Sequence, residues 1–160
     1  MRGATGLALV CLLTLALAPA AFPHCQVPCG IYDDEMRCDM IEEHVTTIEK
    51  AMKLIEELSG AEKPDHNQIV RWVMAKDEHA QAIQRIACEY FMTQRLKPVD
   101  ESGAAHGRYV GQLTLLHQML VYAMKAKQST DLAYVDRLRD TLNAFRAVYF
   151  DTAKEHGHSG

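Results

Sequence analysis

An antiparallel four-helix bundle is the fold class the sequence predicts, from three observations. Apolar residues recur at steps of three and four in four separate stretches. Turn and cap residues separate those stretches. Strand signals are missing, with neither β-branched alternation nor an Asn-Gly or Asp-Gly hairpin.

The first helix is expected over about 34–58, with Ile41, Val45, Ile48, Met52 and Ile55 on one face and a stop at Ser59-Gly60. Pro64 falls in the connection. Asp65 with Gln68 three residues on has the form of a capping box. The second helix carries Ile69, Val73, Ile83, Ile86 and Tyr90 inward and ends before Pro98. A polar loop spans 99–107. The third helix has Leu113, Leu116, Leu120 and Met124 on one face. Ser129 is the expected N-cap of the fourth, whose stripe is Val135, Leu138, Leu142, Phe145 and Tyr149. Short connections between amphipathic helices make neighbours antiparallel.

The bundle is expected over 33–155, followed by a flexible tail at 156–160. Residues 1–23 form a leader that is removed. Arg2 is followed by an apolar run over 7–17 and by Ala18-Pro19-Ala20, a small-residue cleavage pattern. That run is shorter than the ~20 residues needed to cross a bilayer core, so no membrane anchor is expected. Export to the periplasm or beyond follows.

Composition removes several functions. A net charge of −4 offers no basic surplus for nucleic acid. With 48% hydrophobic and 24% charged residues, the 160-residue chain is an ordinary single globular domain. Di-iron bundles need Glu-x-x-His on two helices, and the one match here is Glu155 to His158 in the tail. There is no His-Glu-x-x-His, no phosphate-cradling Gly-rich loop and no Gly-x-Ser-x-Gly elbow. The methionines read as core filler. His44 and His117 read as surface or satisfied core residues.

Five Cys are present, and Cys11 lies in the leader. The informative pair stands in His24-Cys25-Gln26-Val27-Pro28-Cys29-Gly30-Ile31-Tyr32. Once trimmed to His24, this segment has a free α-amine that deprotonates far more readily than a lysine. Amine, Cys25 amide nitrogen and Cys25 thiolate form fused chelate rings, and Cys29 closes a plane. Planar nitrogen and sulfur donors suit Ni(II) or Cu(II), whereas zinc prefers a tetrahedron. The His24 imidazole reaches an axial position. Two other readings stay open. In an oxidising compartment Cys25 and Cys29 form a disulfide, leaving a secreted helical interaction module. Alternatively, the segment binds metal without turnover.

His-Cys-x-x-Pro-Cys-Gly-x-Tyr resembles the nickel hook of nickel-dependent superoxide dismutases. The likeness extends to the chain length, the spacing to the helices and Glu89-Tyr90-Phe91, covering about 24–150. The resemblance implies one nickel ion per chain, held by His24, Cys25 and Cys29. It implies disproportionation of superoxide to O₂ and hydrogen peroxide with Ni(II)/Ni(III) cycling. Tyr32 matches the hook tyrosine that controls access of small anions. Tyr90 matches a second active-site tyrosine, and reads equally as a core aromatic. A homohexamer, a maturation protease and a nickel-loading factor are the implied partners.

Three departures accompany the likeness. Gln26 stands where the family often has Asp. The family's second-helix Arg, which orients the axial histidine through an acidic residue of helix one, is matched by His79; two readings stay open, a solvated His79 and a pair with Asp39. Cleavage after Ala20 leaves Ala21-Phe22-Pro23 ahead of His24, so a second trimming step is required. Cys38 and Cys88, outside the hook, are expected to be buried thiols, with a mutual disulfide as the alternative.

Overall fold

The computed structural model describes residues 33–156, and side chains as far as 151. Its elements are α1 (Asp34–Ser59), α2 (His66–Arg85), a π-helical segment (Ile86–Arg95) continuing α2, α3 (His106–Gln128) and α4 (Ala133–His156). Among the described residues there is no strand.

α1 begins where Asp33, in extended conformation, accepts hydrogen bonds from the Glu35 and Met36 amides at 2.8 and 3.1 Å. Asp34 and Glu35 add negative charge to the first turn, where the helix dipole favours it. The expected stripe is buried, with Cys38 added at its start. The helix closes on Gly60, whose amide donates to Glu56 O at 3.0 Å.

α2 starts with the Asp65 half of the capping box, the carboxylate accepting from the Gln68 amide at 3.1 Å. Ile83, Ile86 and Tyr90 face inward as expected. Ile69 is only half-buried and Val73 is exposed. The physical reason is Lys76, which is buried one turn further along. Its ammonium donates to the Ala126 and Lys127 carbonyls at 2.7 Å each and to Asp77 at 3.0 Å. Those carbonyls are in the last turn of α3, where helical acceptors lack intrahelical partners and a cation is favoured. α3 therefore ends opposite Lys76, and the earlier turns of α2 have no α3 to pack on.

The sequence reading continues α2 as one ordinary helix. The structure instead widens it at Ile86. Leu96 N donates to Phe91 O at 2.9 Å, and the Thr93 and Gln94 side chains bond back to Cys88 O and Glu89 O. The wide turn keeps Ala87, Tyr90 and Phe91 inside and turns Cys88 outward. Cys88 is thus an exposed thiol, contrary to expectation. Cys38 is buried as expected, and no disulfide joins them.

On α3 the buried face is Gln112, Leu116, Met119, Ala123 and Ala126. Of the expected stripe, Leu116 is buried, Leu113 and Leu120 are half-buried, and Met124 is exposed. This helix is apolar on adjoining faces, so its periodicity did not single out the right one. Ser129 does not cap α4; it ends α3 in extended conformation. Asp131 takes the capping role, accepting from the Ala133 amide at 2.9 Å. Beyond it Val135, Leu138, Leu142 and Phe145 are buried and Tyr149 half-buried. Phe91 packs edge-on against Phe145 and Tyr149, with centroids 4.9 and 5.4 Å apart, locking the π segment to α4.

Candidate functional site

His24, Cys25, Cys29 and Tyr32 lie outside the described residues. Tyr90 lies within them, and its hydroxyl joins a polar cluster that ties the π segment and α4 to α1.

The cluster is built on Asp34, the first residue of α1. Its carboxylate accepts the Tyr90 hydroxyl from the π segment on Oδ1. Oδ2 accepts the Tyr149 hydroxyl of α4 at 2.7 Å and the Arg95 guanidinium at 2.7 Å. Two elements, the π segment and α4, are thereby tied to the start of α1, one residue from its N-cap. The Tyr90 ring also has the Arg37 and Arg95 guanidiniums 5.2 and 5.6 Å from its centroid.

These partners set the protonation states. Burial pushes the Asp34 carboxyl upward, but hydrogen bonds from Arg95, Tyr90 and Tyr149 outweigh it and hold the group below its ordinary value. Burial, reinforced by the Asp34 hydrogen bond, pushes the Tyr90 phenol up to about 12. The same causes raise Tyr149. The Asp34 bond raises Arg95 against the opposing effect of its burial. At neutral pH the cluster is one carboxylate, one guanidinium and two phenols that keep their protons.

Asp34, Arg95 and Tyr149 were not singled out by the sequence. The available signal was small: Asp34 reads as an ordinary first-turn acid, and Arg95 as an ordinary last-turn base. The Asp39–His79 pair does not form. Asp39 is paired with Arg146 of α4 at 2.7 Å, and His79 faces His44. His117 is exposed on α3.

Among the described residues, no group of three or more His, Cys, Asp or Glu side chains could hold a metal ion. The residues of 24–29 do fit nickel by their chemistry: two cysteine sulfurs, an imidazole and backbone nitrogens in one short segment. No helix among the described residues is long and apolar enough to cross a membrane.

Helical scaffold and nitrogen–sulfur donor set together define a class, a redox metalloprotein built on a bundle. The sequence profile of nickel-containing superoxide dismutase matches residues 18–153. The chain belongs to that family: it is a nickel-containing oxidoreductase whose substrate is superoxide. No curated protein and no solved structure matches it.

Proposed function

We propose that this superoxide dismutase works from a nickel centre at the N-terminus of a processed chain that begins at His24. The observation that carries the reading is the segment His24-Cys25-Gln26-Val27-Pro28-Cys29-Gly30-Ile31-Tyr32 inside the family match. His24 supplies its amine and imidazole, Cys25 its thiolate and amide nitrogen, and Cys29 its thiolate, for one nickel per chain. Nickel bound there would supply a one-electron Ni(II)/Ni(III) couple, so that one superoxide is oxidised to O₂ and another, with two protons taken up from solvent, is reduced to hydrogen peroxide. Pro28 stiffens the turn between the thiols, and Gly30 lets the chain leave sharply. Tyr32 restricts access to small anions.

Tyr90 serves as a proton-retaining phenol whose orientation is fixed by Asp34. With its pKa raised to about 12, it keeps its proton and its hydrogen bond to Asp34 through the working pH range. We further propose export, a second trimming step at Pro23-His24, and assembly as a homohexamer.

The test is superoxide disproportionation with nickel quantified on the same sample. Cys25→Ser and Cys29→Ser should each abolish activity and nickel redox chemistry while the helical circular dichroism is retained, because the thiols precede α1. Tyr32→Phe should keep nickel and lose part of the rate. Full activity in either serine variant would refute the ligand assignment; unfolding of both would make the segment structural.

A further inference from the structure

His44 on α1 and His79 on α2 bring Nδ1 to 2.8 Å from Nδ1. The rings meet edge-on at 68° with centroids 4.9 Å apart, and both are half-buried. As neutral imidazoles they share one proton: one Nδ1–H donates and the other Nδ1 accepts. Two lone-pair positions thus sit on two packed helices, with a single proton between them.

A first-row divalent ion binds imidazole nitrogen at about 2.0–2.1 Å, so two such bonds at a right angle span about 2.8–3.0 Å, whereas a tetrahedral pair spans roughly 3.3 Å. The observed separation is that of a right-angled pair. Bringing both lone pairs onto one ion requires rotation about χ2, a soft torsion for histidine. The helices carrying the rings already hold the separation. Burial, then the facing His79, lowers the basicity of His44; Glu43 opposes this and Arg85 adds to it. His44 is therefore neutral near pH 7, the form that ligates.

We propose that His44 and His79 form a second metal site, made of residues other than the N-terminal donors, taking one divalent nickel or copper ion through the two Nδ1 atoms. The ion takes the place of the shared proton, which moves through solvent to Nε2 of the ring that donated it; no net proton is released, and both imidazoles then carry Nε2–H. With no third His, Cys, Asp or Glu grouped with them among the described residues, water completes the coordination. The bound ion is consequently exchangeable and bridges α1 to α2. The right-angled geometry favours tetragonal or octahedral ions over zinc. The proposal does not depend on the hook reading.

The test uses the full chain carrying Cys25→Ser and Cys29→Ser, titrated with Ni(II) alone and compared with the same chain carrying His44→Gln or His79→Gln. Expected are two exchangeable, paramagnetically shifted imidazole N–H resonances, and a Tm increase of about 5–10 °C at saturating Ni(II), from binding to the folded state. Loss of both responses in each Gln variant supports the site. Responses that persist in both variants, or no response in the parent chain, overturn it. Metal-free Tm values identify any folding defect; should one Gln variant fail to fold, the other decides.

Discussion

Asp34→Asn isolates the charge of the polar cluster while keeping the shape of the side chain. Three donors converge on the Asp34 carboxylate, and its side chain is 18% exposed. The Arg95 side chain is 38% exposed, so its ion pair is discounted to about 0–1 kcal/mol. The two phenol bonds are better shielded, and each loses about 1 kcal/mol when its acceptor becomes neutral. The variant should therefore be less stable by about 2–3 kcal/mol at pH 7, a Tm decrease of roughly 6–15 °C. The pH dependence has a definite sign. The folded-state pKa of Asp34 is lowered, so its contribution is complete above the unfolded value near 3.9 and is lost as pH falls through the folded value. The gap between parent and variant should stay constant from about pH 5 to 8 and close below about pH 4. Thermal and urea unfolding across that range measure it. A gap under about 0.5 kcal/mol at pH 7, or one that persists in acid, would refute the assigned role of the carboxylate.

Lys76→Met should cost about 2–3 kcal/mol, because the Ala126 and Lys127 carbonyls lose their ammonium donor; urea unfolding reads it directly. Asp131→Ala should cost about 1 kcal/mol and Ser129→Ala less than about 0.5, the reverse of the order the sequence suggested, measured by paired thermal melts. In a thiol-labelling experiment Cys88 should react in the native protein, while Cys38, buried with its thiol pushed up to about 11, should react only on unfolding. Tyr90→Phe should remove a phenolate transition near pH 12 from an ultraviolet titration and lower the neutral-pH absorbance by that of one tyrosine.

The amphipathic pattern revealed most of the bundle. α1 and α4 each have one clear apolar stripe, and their buried residues follow it closely. Reading α3 was harder because apolar residues surround more of it, and burial depends on which neighbour each face meets. Lys76 reverses the usual polarity rule for a reason that lies 50 residues away, in carbonyls that no local pattern reveals. The π turn is equally silent, since neither Pro nor Gly marks it. At the site the asymmetry is similar. The proposed donors His24, Cys25 and Cys29 fall within one short stretch of sequence, so their chemistry can be read directly. Asp34, Tyr90, Arg95 and Tyr149 form one cluster only after α1, the π segment and α4 pack together. The Asp39–His79 reading failed for the same reason: partners across helices are chosen by register, and Arg146 and His44 are the residues in reach.

The central claim concerns the N-terminus, because an amine can join the chelate only if His24 begins the chain. The intact native mass of protein purified from its own host, with metal retained, tests this most directly. The account predicts a chain starting at His24 with one nickel bound and active against superoxide. A chain starting at Ala21, without nickel and two hydrogens light from a Cys25–Cys29 disulfide, would contradict it.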